Sequence, residues 1–259
     1  MITSTANRQI KNLTSLVKKS KERKAQKAFV VEGIRMFEEV PREWILKVYV
    51  SERFLADEAH RELLSDYEYE EVSDSVFGAV SDTQTPQGIL AVVRIPEYSF
   101  SQLLKGDKTH LLILESIQDP GNLGTMIRTG EGAGISGVIM NNTTVDLFNP
   151  KTIRSTMGSI YRVPFFITDD LGGTIEKLRG EGVTIYAAHL AGQMDYDEPD
   201  YSGATGFLIG NEGNGLSDEI SDLADVRVRI PMEGQVESLN AAVSASLFMY
   251  EKSRSRRKK

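Results

Sequence analysis

Three short stretches of the 259-residue sequence combine side chains that can hold a polar substrate or meet developing charge with glycines that leave the main chain bare. They are D-P-G-N-L-G-T-M-I-R-T-G (residues 119–130), F-L-I-G-N-E-G-N-G-L-S (207–217) and I-P-M-E-G-Q-V-E-S-L-N-A-A-V-S-A-S-L (230–247). In the first, Asn122 and Arg128 stand six residues apart across a helix start, so Asn122 can cap while Arg128 projects from the second turn. In the second, glycine and asparagine positions surround Glu212, and glycine allows a ligand to approach the backbone closely. The third brings Ser238 and Asn240 to the mouth of a helix rich in Ala and Ser. Taken singly, each stretch reads as an ordinary turn or cap; all three in this order, each after a strand, point to one ligand site.

Other chemistries lack residues to carry them. The chain has no cysteine, which removes disulfides, thiolate nucleophiles, iron-sulfur clusters and Cys-ligated zinc, and suits a reducing compartment. His60, His110 and His189 are far apart with no metal-binding spacing, so no metal site is expected. Neither a G-x-S-x-G elbow nor a phosphate-binding P-loop occurs. Residues 132–137 read G-A-G-I-S-G, a literal G-x-G-x-x-G, but these glycines end a helix and precede a strand, the reverse of a dinucleotide site, and read as a C-cap and turn. The N-terminal stretch has no apolar run of signal-peptide length, and no segment approaches the roughly 18 apolar residues of a spanning helix. The expectation is a cytoplasmic protein without a membrane partner.

The net charge of −7 conceals an asymmetry: residues 1–27 carry +7 and residues 251–259 carry +5, which leaves −19 for the body between them. Basic ends on an acidic body attract phosphate backbones, although Lys-rich termini also serve simply as solvated faces.

The elements that must position these residues alternate. A basic amphipathic helix over 5–20 leads to the strand AFVVEG, a short helix, the strand WILKVYVS, a helix, the polar strand YEYEEVS, a helix and the buried strand GILAVVRI, which together make a small α/β domain over 1–98. A linker is placed at 95–100, where Pro and Ser interrupt the pattern. A second α/β domain over 107–250 follows, with strands THLLILES, GVIMNN, PFFIT, VTIYAAHL, GATGFLIGNE and VRVRIPM, a helix opening near Asn149 with Pro150 at its first position, and a final helix over 238–250. Residues 251–259 form a basic tail. The β-α-β rhythm makes a mostly parallel sheet flanked by helices, an architecture that puts ligands at the carboxyl ends of strands.

The three loops resemble the three motifs of the SpoU family of RNA ribose 2′-O-methyltransferases, within the SPOUT superfamily. The likeness spans about residues 107–250, and the domain ending in TPQGILAVV resembles a substrate-binding domain fused ahead of it. The resemblance implies a C-terminal segment threaded into a trefoil knot, S-adenosylmethionine bound in that knot without a metal, and a homodimer. It implies that Leu208, Gly210, Ile230, Met232 and Leu239 hold the adenosine part of the cofactor, and that Asn122, Glu212, Ser238 and Asn240 line the reacting end. Arg128 matches the family's catalytic arginine. Because a guanidinium keeps its proton far above neutral pH, the reading favours Arg128 as a clamp on phosphate and hydroxyl rather than as a base. Small residues of the last helix, Ala241, Ala242, Ser244, Ala245 and Ser246, offer close approach to a second subunit, with core packing as the alternative. The expected substrate is structured RNA, large-subunit ribosomal RNA ahead of transfer RNA. A non-catalytic ribosome-assembly protein and a dinucleotide oxidoreductase stay as other classes.

Overall fold

The basic stretch after Asn7 buries Ile10, Leu13, Leu16 and Val17 and exposes its cations, the three-and-four spacing of a one-sided helix, and it forms α1 (Arg8–Lys18). Asn7 caps it by accepting from the N–H of Gln9 at 2.8 Å. The structure, a computed structural model, describes residues 1–257; Lys258 and Lys259, the last two residues of the basic tail, lie outside the described residues. After α1 come α2 (Ser20–Gln26), β1 (Ala28–Glu32), α3 (Ile34–Glu38), β2 (Ile45–Ser51), α4 (Glu52–Leu55), α5 (Glu58–Leu63), β3 (Tyr69–Val72), α6 (Asp74–Val80) and β4 (Ile89–Arg94). The four strands form one sheet in the order β1-β4-β2-β3, with β4 antiparallel to both neighbours and β2 parallel to β3. The apolar face of α1 packs into a core with Val30, Tyr49, Phe77, Leu90 and Val92.

This first unit is discontinuous: it comprises Met1–Glu97 and Phe148–Tyr161. The returning segment carries α8 (Pro150–Thr156), opened by the Asn149 side chain, which accepts from the N–H of Lys151. Phe148 meets Phe29 with ring centroids 4.7 Å apart, and Arg154 pairs with Asp82 at 2.8 Å.

The second unit, Tyr98–Leu147 with Arg162–Lys259, holds β5 (His110–Leu114), α7 (Pro120–Ala133), β6 (Gly137–Asn141), β7 (Phe165–Thr168), α9 (Leu171–Gly180), β8 (Thr184–Ala188), β9 (Met194–Asp195), β10 (Thr205–Ile209), α10 (Asp218–Ser221), β11 (Val226–Arg229) and α11 (Ala241–Arg257). Its seven strands run in the order β7-β6-β5-β10-β8-β11-β9, and every pairing is parallel. The central strands β5 and β10 are buried along their whole length, which fits a sheet covered on both faces and explains their unbroken apolar runs. Gly134 ends α7 in the left-handed region at φ 73°, so the G-A-G-I-S-G stretch is a helix stop before β6.

The last helix departs from its sequence boundaries. It begins at Ala241 rather than at residue 238, because Asn240 takes the cap, and it runs on through the basic stretch to Arg257. Several of those charges are structural. Lys252 is fully buried, its Nζ donating to the carbonyls of Tyr201 and Gly203 and to the Thr205 hydroxyl, and Arg254 pairs with Glu251. Arg256 donates to the carbonyls of Ala133 and Gly134 at the C-terminal end of α7.

His110 is buried beside this helix end. Arg256 Nη2 lies 3.3 Å from His110 Nδ1, and since a guanidinium can only donate, that nitrogen accepts and stays unprotonated. Burial, with the Lys252 and Arg256 charges adding to it, pushes the imidazole pKa from 6.5 down to about 3. An unfolded His110 takes up a proton below pH 6.5 and the folded one does not, so its stability contribution is whole above pH 6.5 and lost toward pH 3. In denaturant titrations, wild type should lose about 2 kcal/mol more between pH 7 and pH 5 than His110→Leu. Equal losses would show that the histidine is not held neutral.

Candidate functional site

The first loop begins with a strained residue. Ser116, just past β5, has φ 55°, and it is held from all sides. Its N–H donates to Asn141 Oδ1 at 2.9 Å, Asn141 Nδ2 donates to its hydroxyl at 3.1 Å, and its carbonyl accepts from Gln118 Nε2 and Asn211 Nδ2. Left-handed backbone is costly for a residue other than glycine, and these bonds fix the direction in which the chain leaves the sheet. It then turns into α7 with Asp119 as the cap, accepting from the Asn122 N–H at 2.8 Å, and Pro120 in the first turn. The cap is therefore Asp119 and not Asn122. Asp119 has the extended backbone of a cap just ahead of Pro120, whereas Asn122 is already inside the helix, which frees its amide to face the other loops.

Asn122 joins all three. Its Nδ2 donates to Glu212 Oε1 at 3.0 Å, and its Oδ1 accepts from Asn240 Nδ2 at 3.0 Å. Asn240 in turn accepts on Oδ1 from the N–H groups of Ala242 and Val243, capping α11. Glu212 also accepts from the N–H groups of Gln118 and Asp119 at 2.9 and 3.0 Å. Partial burial opposes ionisation of this carboxyl, but the bonds from Asn122, Asp119 and Gln118 outweigh it and hold the pKa below its ordinary value. Glu212 is therefore ionised at neutral pH.

The second loop is folded onto itself: Asn211 and Gly215 exchange N–H to carbonyl bonds of 2.9 Å in both directions. A methyl group on Gly210 would sit 2.1 Å from the Gly215 carbonyl carbon and 2.2 Å from the Leu216 nitrogen, so only glycine fits. Glu115, at the end of β5, ties the loop's far side by accepting from the N–H and hydroxyl of Ser217 at 2.8 and 2.7 Å.

A cavity of about 250 Å³ opens at the carboxyl ends of β8, β10 and β11. Gly210, Ile230, Met232 and Leu239 line it, with Glu212 and Ser238 on its polar side. Leu208 does not reach it; this residue is buried inside β10, paired in register with Ile113 and Ala187. Arg128 is not among the lining side chains either. It is exposed on α7 and makes no hydrogen bond or ion pair among the described residues. Asn122 stands beside the cavity through its contact with Glu212, and Asn240 through its contact with Asn122.

Sequence reasoning missed three contributors. His189 and Leu190 follow β8 and line the cavity, because β8 lies between β10 and β11 in the sheet. Nothing in the sequence order announces that neighbourhood. Asn141 is the side chain that fixes Ser116. The signal available for it was its place at the end of β6, a strand adjacent to β5. Among the described residues no group of His, Asp or Glu could hold a metal ion, and no helix is long and apolar enough to cross a membrane.

A shape with three loops joined through one asparagine invites comparison with known proteins. The family model described as the SpoU rRNA Methylase family matches residues 109–250, more than half of the chain. The protein belongs to the SpoU family. A second model, the MRM3-like substrate binding domain, matches residues 7–91 of this SpoU protein. Among curated relatives, the 23S rRNA (guanosine(2553)-2′-O)-methyltransferase RlmP of Bacillus subtilis is 35% identical over 251 residues, 96% of this chain and 97% of that one. Among solved structures, the AdoMet-bound rRNA methyltransferase from Sinorhizobium meliloti is 31% identical with a TM-score of 0.82, covering 98% of this chain and 97% of that one. The SpoU methyltransferase AviRb from Streptomyces viridochromogenes, in complex with AdoMet, is 26% identical with a TM-score of 0.88, covering 96% and 98%. The resemblance carried by the three loops is thus membership, and the mostly parallel sheet flanked by helices is the fold of those structures.

Proposed function

We propose that this SpoU protein transfers a methyl group from S-adenosylmethionine to a ribose 2′-hydroxyl of large-subunit ribosomal RNA. The observation that carries the reading is the Glu212–Asn122–Asn240 chain, which locks the three family loops together around one cavity. That cavity suits the cofactor: Gly210 lets the second loop fold tightly into its wall, Ile230, Met232 and Leu239 give apolar walls for an adenine, and Glu212 and Ser238 offer acceptors for its polar end. When bound, the cofactor supplies an electrophilic methyl group.

The chain's own residues orient the acceptor. Ser238, on the polar side of the cavity, offers a hydroxyl that can hold the ribose, and Asn240 beside it is held by Asn122 with one amide hydrogen still to donate. Arg128 clamps a phosphate and the attacking oxygen and stabilises the charge that develops there; the hydroxyl proton leaves to phosphate or water. Since Arg128 stands outside the cavity of its own chain, the complete site takes it from a second copy, which makes the enzyme a homodimer. Val243 and Tyr250 of α11, each a little under half exposed, fit a subunit contact, whereas Ala242 and Ala245 pack within the chain. The knotted threading of the C-terminal segment and a cytoplasmic setting belong to the same reading, as does a division of labour in which residues 1–98 capture RNA and residues 107–250 transfer the methyl group.

Ribosomal RNA is favoured over transfer RNA by the full-length likeness to RlmP. Equal amounts of unmodified large-subunit ribosomal RNA and bulk transfer RNA, offered with tritiated S-adenosylmethionine, should yield label in the ribosomal RNA. Preferential labelling of transfer RNA would overturn the substrate assignment.

Glu212→Ala should lower methyl transfer about tenfold by removing charge-assisted bonds of about 1.5 kcal/mol that join the first two loops. Steady-state assays from pH 6 to 9 should show no ionisation belonging to Glu212, whose carboxyl titrates below that range. Full activity in the variant would remove the loop junction from the mechanism.

A further inference from the structure

Charge in the first unit is sharply divided. Residues 1–27 carry +7, whereas residues 28–97 hold fifteen acids against six bases. Some of these cations are used within the unit, Arg23 donating to the carbonyls of Leu16 and Val17 and Lys27 pairing with Glu97, whereas Arg8 and Lys11 are exposed on α1 with Asn12 and Ser15 following them on the same face, the three-and-four spacing that stacks side chains along a helix. Across from this stripe, Lys47 and Tyr49 of β2 complete an open groove of about 610 Å³.

From this groove we infer that the α1–β2 face is a docking track for an RNA phosphodiester backbone, separate from the methyl-transfer cavity. The inference rests on the RNA reading above and specifies where the substrate is held. The side chains of Arg8 and Lys11 make no ion pair or hydrogen bond among the described residues, although acids outnumber bases through the rest of the unit. The carboxylate behind the groove, Glu70, is already answered: it accepts from Lys47 Nζ at 2.9 Å and from Gln9 Nε2 at 3.4 Å. Two free cations, an amide and a hydroxyl along one helix face match what a phosphate and ribose chain offers, a row of anionic oxygens with hydroxyls between them. The track has the chemistry for backbone contact, so it raises affinity without reading sequence. The selection of a nucleotide then belongs to the other unit.

Binding of a large-subunit ribosomal RNA transcript, measured across 50 to 200 mM salt, tests the track. Arg8→Ala with Lys11→Ala should weaken binding about tenfold at the low-salt end and flatten the slope of log affinity against log salt by roughly 1.4 to 1.8, the release of two phosphate contacts. The charge-conserving pair Arg8→Lys with Lys11→Arg should keep the wild-type slope, and so should Arg53→Ala with Arg61→Ala, which removes two exposed cations of the same unit away from the groove. Methyl transfer at saturating RNA should survive in all of them. An unchanged slope in the double alanine variant, or an equal loss in the Arg53 and Arg61 pair, would overturn the track while leaving the enzyme reading in place. A wild-type protein that binds the transcript with the expected salt slope but methylates no RNA would instead strike at the proposed function.

Discussion

Arg128→Ala should lose about 10² to 10³-fold in kcat, the usual cost of deleting one donor aimed at developing negative charge, with cofactor affinity within about twofold of wild type. Both halves of this expectation come from where the side chain is. It is exposed and unpartnered, so truncation leaves no buried group unsatisfied, and it is absent from the cavity wall, so the cofactor loses no contact. The variant should fold and bind like wild type and fail only in transfer. Co-expression with a cavity-dead chain gives a second readout. A dimer that pairs one intact cavity with the partner's intact Arg128 regains one site of two, so the co-expressed mixture, with about half of its dimers mixed, should recover up to about a quarter of wild-type activity. If Arg128→Ala methylates at the wild-type rate, the clamp is wrong; if mixtures stay dead, each chain is using its own arginine.

Gly210→Ala provides that cavity-dead chain. The added methyl group has no space, because it meets main-chain atoms of Gly215 and Leu216 at 2.1 to 2.4 Å and neither can swing aside as a side chain would. The second loop must shift outward, and the loss should reach about 3 kcal/mol, or a hundredfold or more in S-adenosylmethionine affinity by titration calorimetry. Gly213→Ala is the matched control: its methyl group would meet only the Asn211 side-chain oxygen at an ordinary 3.5 Å, so affinity should hold. Similar affinities for the two variants would mean that the loop is not the cofactor's wall.

The contrast between these glycines marks how far the sequence could be read. The glycine-rich composition around Glu212 was legible as a place for close approach, but which glycine is indispensable depends on how residues 210–216 fold back, and that is set by the reciprocal Asn211 and Gly215 bonds. The alternation of strands and helices was legible because β5 and β10 are buried on both faces and carry unbroken apolar runs. The place of β8 between β10 and β11 was not, since neighbourhood in a parallel sheet is not chain order, and so the place of His189 and Leu190 at the cavity was hidden. Asn122 was found for a reason that proved incomplete: helix-start chemistry singled it out, Asp119 took the cap, and the amide was left to bridge Glu212 and Asn240. The basic C-terminal stretch misled most. Charge alone suggests a solvated or RNA-seeking tail, yet Lys252 and Arg256 are spent on backbone carbonyls of the second unit, because helix α11 continues through them and brings them against the ends of other elements. The N-terminal cations differ in that Arg8 and Lys11 have no such partners.

The most direct test of the account is the chemical position of the methyl group. Large-subunit ribosomal RNA made by transcription is incubated with the purified protein and S-adenosylmethionine, then hydrolysed in alkali and read as a ladder. Methylation of a ribose 2′-oxygen removes the hydroxyl that attacks the adjacent phosphate, so one linkage should resist cleavage and leave a single gap, absent with Arg128→Ala. A complete ladder together with methyl label recovered on a free base would contradict ribose methylation, whatever the affinity of the protein for RNA.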